Sequence, residues 1–166
     1  MSDAQRLLEL IPRLRRYARA LVGDRAAADD LVQDTLERAW SRLHLFRPGS
    51  DLRAWLFTVM HNVHVNQVRA ARAAEPIDED MPELAQRAPQ HDALGVRDLE
   101  RSLARLPIEQ REVLLLVALE DLSYEEAART LGIPIGTVMS RLARAREKLR
   151  AMLLDQPPGA KLHVVK

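Results

Sequence analysis

The chain has 166 residues, 47% hydrophobic but only 4% aromatic, so it can fill one core or two small ones mainly with Leu, Val and Ala, as helical bundles do. It contains no cysteine, which excludes disulfides, cysteine-zinc fingers and thiol catalysis and fits a reducing cytoplasm. The formal net charge of +1 conceals a pattern that is basic, then acidic, then basic again, and no apolar run or signal-peptide core marks a membrane or secreted protein.

In chain order, Leu7, Ile11, Leu14, Ala18 and Leu21 form the apolar side of a first helix that can break near Pro12 and should end near Gly23. Asp24 is a suitable N-cap for a second helix reaching about Leu43. Leu31, Thr35, Leu36, Ala39, Trp40 and Leu43 follow its inner spacing, which places Trp40 in the core; Gln33, Asp34, Glu37 and Arg38 should project outward. Pro48 and Gly49 put HLFRPGSD in a loop, after which Asp51 caps a long helix from Leu52. Leu52, Trp55, Leu56, Val59 and Val63 form its packing side, and Asn62, Asn66 and Arg69 form a polar row at i, i+4 and i+7. Two amides followed by an arginine suit base edges and phosphates, although an Asn can equally serve in a core or a cap. His61 and His64 stand at i and i+3 but have no third ligand or HExxH pattern, so they read as polar residues on a helix surface and no metal is expected.

Residues 74–97 read as a flexible acidic linker. Glu75, Asp78, Glu79, Asp80, Glu83 and Asp92 oppose only Arg87 and Arg97, and Pro76, Pro82 and Pro89 interrupt helical periodicity. Beyond it, LSYEEAARTLGIPIGTVMSRLARAREKLR reads as a helix-turn-helix. Ser123 and Glu126 form a capping box, Ala127 and Ala128 keep one face thin, Gly132 allows the turn, and Pro134 opens the second helix. Val138, Leu142, Ala145 and Leu149 make the apolar stripe of that helix. Thr137, Ser140, Arg141, Arg144 and Lys148 occupy another face, suited to phosphates and guanine edges in a major groove. Pro157, Pro158 and Gly159 break any helix in a tail over residues 156–166.

AADDLVQDTLERAW and LRAWLFTVMHNVHVNQVR, followed by LARLPIEQREVLLLVALEDLSYEEAARTLGIPIGTVMSRLARAREKLR, resemble regions 2 and 4 of bacterial RNA polymerase sigma factors of the extracytoplasmic-function group. The resemblance covers nearly all of residues 5–153 and implies an all-α chain of two small helical domains: region 2 at 1–73, the linker, and region 4 at 98–155. It implies a non-enzymatic promoter-specificity subunit, without catalytic residues or cofactors. Its partners would be core polymerase, through the β′ clamp helices and β flap, promoter DNA, and an anti-sigma protein. Asp30, Gln33, Asp34 and Glu37 match the polymerase-docking surface; Arg53, Asn62, Asn66 and Arg69, with the loop from His44 to Asp51, match the reader of the single-stranded minus-10 element. Pro134, Gly136, Thr137, Ser140, Arg141, Arg144 and Lys148 match the reader of duplex minus-35 DNA, with Met139 standing where relatives often carry a basic residue. The same resemblance gives the acidic group around Asp78, Glu79 and Asp80 the character of a nucleic-acid mimic within the polymerase. Two alternatives remain: a sigma-like decoy that captures an anti-sigma protein, and a helix-turn-helix regulator acting without polymerase.

Overall fold

The structure, a computed structural model, describes residues 1–74 and 94–154. Among the described residues every regular element is helical: α1 Asp3–Glu9, α2 Ile11–Val22, α3 Arg25–Arg42, α4 Leu52–Ala74, α5 Leu94–Arg105, α6 Ile108–Leu114, α7 Tyr124–Leu131 and α8 Ile135–Leu154. A short 3₁₀ turn, Leu43–Leu45, follows α3, and a wider turn, Leu115–Leu119, continues α6. The all-α expectation of two helical units is met. Helix occupies both edges of the stretch read as linker, with α4 reaching Ala74 and α5 starting at Leu94. The acidic group at Asp78, Glu79 and Asp80 and the tail over 156–166 lie outside the described residues.

Local chemistry explains the boundaries. The first helix breaks at Leu10, just before Pro12, because proline fits the opening turn of α2 but not an uninterrupted ladder. Gly23 ends α2 at φ 80°, the left-handed conformation that costs glycine little. The Asp24 side chain accepts from the Ala27 N–H at 3.0 Å, and Asp51 Oδ1 accepts from the Arg53 N–H at 3.0 Å. Ser123 and Glu126 form the reciprocal capping box, with bonds of 3.1 and 3.0 Å.

In the first half α2 packs on α3 and α3 on α4; in the second α8 packs on α5, α6 and α7. The halves also pack on each other, α4 against α7 and α2 against α5, α6 and the wider turn. Their apolar side chains belong to one continuous core, from Leu14, Leu31 and Met60 to Leu116, Val138 and Leu142. Tyr17 and Phe57 meet edge to face within it, ring centroids 5.0 Å apart.

Trp40 corrects the expected core: it is 60% exposed, although Ala39 beside it is fully buried. Helical spacing places Trp40 at the margin of the apolar stripe, and no neighbouring element covers that margin. Trp55 is half-buried and packs on Phe46 at 5.5 Å.

Replacing Ser123 with Ala should lower the unfolding free energy by about 1 kcal/mol, the usual cost of losing an N-cap. Denaturant titration should show an earlier midpoint with an unchanged slope.

Candidate functional site

Three surfaces carry the residues singled out from the sequence. On α3, Asp30, Gln33, Asp34 and Glu37 are all exposed along one side. At about 100° per residue Trp40 lies on the flank of that side, next to Gln33 and Glu37, so the polar face has an aromatic at its edge. Asp34 is tied back to α4, accepting from the Gln67 amide. An open groove between α3 and α4 is lined by Asp34, Glu37, Arg38 and Ser41 on one side and Asn66 and Gln67 on the other.

On α4, Asn62, Asn66 and Arg69 are exposed and fall within about 60° of one another around the axis. Arg53 does not join them. It lies on the opposite side of α4, about 180° from Asn62, where its Nη1 donates to the Glu120 carbonyl at 3.0 Å. Sequence spacing already separates Arg53 from the amide row, but its contact with the second half emerges only from the packing.

On α8, Ser140, Arg144 and Lys148 are exposed, while Thr137 and Arg141 are half-buried on the same side. The Pro134 carbonyl accepts from the N–H groups of Thr137 and Val138 at 3.0 and 3.2 Å, opening the helix as expected. Pro134 and Gly136 are exposed, and a Cβ built on Gly136 would meet nothing within 4 Å. Val138, Leu142 and Ala145 are buried, so α8 has one packed side and one open basic side. Met139 is 51% exposed at the edge of the open side.

A family model described as the sigma-2 domain of PhyR matches residues 7–61, and one described as sigma-70 region 4 matches residues 97–149. The ECF RNA polymerase sigma factor EcfG of Rhodopseudomonas palustris is 41% identical over 157 residues, spanning 92% of this chain and 87% of that protein. The chain belongs to the ECF RNA polymerase sigma factors. SigC of Mycobacterium tuberculosis is 38% identical over 152 residues, covering 84% of this sigma factor and 75% of its own length. Among solved structures, the sigma factor RpoE of Bartonella quintana, in complex with the anti-sigma factor NepR, superposes with a TM-score of 0.81 at 37% identity. That alignment covers 93% of this chain and 98% of the other. The PhyR–NepR complex from Sphingomonas is similar at a TM-score of 0.68 and 28% identity, with 98% of each chain covered. The α1–α4 half is thus region 2 of this sigma factor, and the α5–α8 half is region 4.

Where regions 2 and 4 meet, the seam holds two acidic side chains that sequence reading did not single out. Glu120 is completely buried; its Oε1 accepts from Arg16 Nη2 at 3.1 Å. The same Arg16 nitrogen donates to the Leu119 carbonyl at 3.4 Å. Glu112, nearly buried, lies 3.1 Å from His61 Nδ1 in a poorly aligned contact and 3.5 Å from His64 Nδ1. The two histidines are therefore not surface residues: their side chains are only 18% and 13% exposed, covered by region 4. Among the described residues no group of His, Asp and Glu has the arrangement of a metal site. Arg111 donates to Leu21 O across the seam at 2.6 Å and to the Ala104 and Leu106 carbonyls, both at 2.8 Å.

The two glutamates titrate in opposite directions. Burial pushes Glu112 up, but the hydrogen bonding and charge of His61 and His64 together outweigh it, leaving the carboxyl below its ordinary value. Burial likewise pushes Glu120 up, and there Arg16, Arg13 and Arg53 only partly offset it, leaving the carboxyl raised. A depressed carboxyl stabilises the fold above its unfolded value and loses that contribution as pH falls through the folded one. Between pH 6 and 3, Glu112→Gln should therefore lose less stability than the wild type, measured by denaturant unfolding at each pH. Equal losses would show that Glu112 is not held by the histidines.

Proposed function

We propose that this sigma factor binds core RNA polymerase through α3, reads single-stranded minus-10 DNA with the exposed side of α4, and reads duplex minus-35 DNA with the open side of α8. The observation that carries the reading is the exposure of two separate polar rows, one on each region, each backed by a buried apolar stripe. Amides and an arginine on α4 suit unstacked bases, whose Watson–Crick edges are available once a duplex opens. A basic helix following a tight turn suits a major groove, where arginine binds guanine edges and lysine meets phosphate. Asn62, Asn66 and Arg69 lie just beyond the residues matched to the sigma-2 family model, so their assignment rests on exposure and side-chain chemistry.

Asp30, Gln33, Asp34 and Glu37 present the polymerase-docking face, to the β′ clamp helices by the family resemblance, and region 4 is the counterpart for the β flap. Trp40 adds what the acidic residues lack, a large apolar anchor whose burial supplies affinity where charge supplies orientation. An anti-sigma protein is a further partner, supported by the NepR-bound Bartonella relative. The protein acts in the cytoplasm, where its polymerase works; among the described residues no helix is long and apolar enough to cross a membrane.

A decoy role has one specific point in its favour, the match of region 2 to the sigma-2 domain of PhyR, which in Bartonella quintana is an anti-anti-sigma factor. A decoy needs only the anti-sigma surface and has no use for two exposed nucleic-acid faces. In vitro transcription with cognate core polymerase separates the readings: initiation from a defined promoter set supports the sigma factor, and tight anti-sigma binding without any initiation supports the decoy.

Asn62→Ala should impair promoter opening, measured by permanganate reactivity of unpaired thymines, while leaving core binding intact. Trp40→Ala should do the reverse, weakening core binding at least tenfold with unchanged folding by circular dichroism. Gly136→Ala should raise stability by about 0.5–1 kcal/mol, as expected where alanine replaces glycine in an unobstructed helical position. If Gly136 sits against DNA, the same substitution should reduce initiation from promoters that depend on the minus-35 element; unchanged initiation would remove Gly136 from the interface.

A further inference from the structure

The leading end of α8 differs in chemistry from the rest of its open side. Ile135 and Met139 are 43% and 51% exposed, and Ala143, one turn further on, is exposed too. Each step of four residues advances about 40° round the axis, so these side chains form an apolar strip that drifts by no more than about 80°. Gly136 lies at the border of the strip and adds no side chain to it, and a Cβ there would meet nothing within 4 Å. The open side therefore runs from the strip, through Ser140 and Arg144, to the flank that carries Thr137, Arg141 and Lys148. Apolar side chains contribute nothing at a phosphate, so on a helix that enters a groove they have a use only against bases.

The polar side chains of α8 are poorly equipped for an A·T pair. Arginine pairs with O6 and N7 of guanine, and asparagine or glutamine with N6 and N7 of adenine. α8 has Arg141 and Arg144 for the first and no Asn or Gln for the second. Ser140 donates its hydroxyl proton to the Thr137 carbonyl at 3.1 Å, which leaves an accepting oxygen facing outward. An acceptor meets the N4 amine of cytosine as readily as the N6 amine of adenine and does not separate the two. Thr137 is half-buried on the far flank. Glu147, the one acid of α8, lies about three turns in, whereas the N-terminal residues of a recognition helix are the ones that reach base edges. Without an amide, what marks an A·T pair is the 5-methyl group of thymine, the apolar feature of the major groove.

We propose that Met139, with Ile135 beside it on the leading turn, is a specificity-determining residue of this sigma factor, closing on a thymine 5-methyl group in the minus-35 duplex while Arg141 and Arg144 take guanine. The proposal deepens the reading of α8 as the minus-35 reader and rests on it. An unbranched, polarizable methionine adapts its three rotatable bonds to a methyl group, where a lysine or arginine would seek a phosphate or a guanine. The basic residue that relatives often carry at this position would add affinity for any sequence; Met139 adds preference for one base. A protein partner fits the strip less well. The exposed cations Arg144 and Arg146 border it, and Ile135, Met139 and Ala143 alone fall far short of the roughly 1,000 Å² that a specific protein interface buries.

Deoxyuridine pairs as thymidine does and lacks only the methyl group, which allows a direct test. Holoenzyme assembled from core polymerase and the full chain is given promoter templates in which each thymidine of the minus-35 element, on either strand, is replaced in turn by deoxyuridine. At one position or more, initiation by the wild type should fall about fourfold, the effect of losing one buried methyl group. Met139→Ala should initiate equally from the thymidine and deoxyuridine templates at that position, and Met139→Leu, which keeps an apolar side chain, should still discriminate between them. Wild-type initiation indifferent to every deoxyuridine, or a Met139→Ala variant as sensitive to the methyl group as the wild type, would overturn the proposal. So would a Met139→Ala variant that loses initiation equally on both templates and assembles holoenzyme less well, which would assign the strip to a protein contact. Initiation unchanged when the whole minus-35 element is scrambled would overturn the minus-35 reading itself, on which the proposal stands.

Discussion

The meeting of regions 2 and 4 depends on where two glutamates go. Glu112 and Glu120 both leave water for a seam formed by the other half of the chain, and neither would be tolerated there without basic partners. Region 2 provides them: Arg16 from α2, and Arg53, His61 and His64 from α4. The same seam holds the packed apolar core around Tyr17, Phe57 and Met60, so apolar burial and charged contacts join the two halves together. Tyr17 feels both carboxylates: burial first, then the charges of Glu112 and Glu120, push its hydroxyl well above the ordinary value, keeping the phenol neutral in the core.

The same seam divides the surface of α4. One side, carrying Asn62, Asn66 and Arg69, remains open; the other, carrying Arg53 and His64, is covered by region 4. A single long helix thus presents a polar row to solvent on one side and part of an internal interface on the other. In α8 the division is simpler, because its buried stripe faces only region 4 and its basic side is left free. Both open rows follow from helical periodicity, and on α4 region 4 in addition covers the opposite side.

Local signals were sufficient for the helices and their ends. Ser123 with Glu126, Asp24, Asp51, Gly23 and the break before Pro12 are all effects of a few neighbouring residues on backbone hydrogen bonds, and each appears where the sequence places it. The exposed face of α3 and the amide row of α4 were equally legible, since helical periodicity alone sorts residues by side. Trp40 escaped because periodicity assigns a direction and not a cover: the residue points along the edge of the stripe, and nothing packs over it. The two histidines escaped for the opposite reason, being covered by a segment roughly 50 residues away along the chain.

By itself the sequence determined that the chain is helical, that it carries two basic or amide-rich rows on separate helices, and that its motifs are those of a sigma factor, because caps, turns and apolar spacing act within a few residues. Only the tertiary structure decided that the two regions close on each other, that Arg53 meets the Glu120 carbonyl of region 4, and that Glu112 and Glu120 are buried. Those outcomes depend on which surfaces meet across long stretches of chain, where the desolvation of a carboxylate is offset by partners that no local pattern can identify.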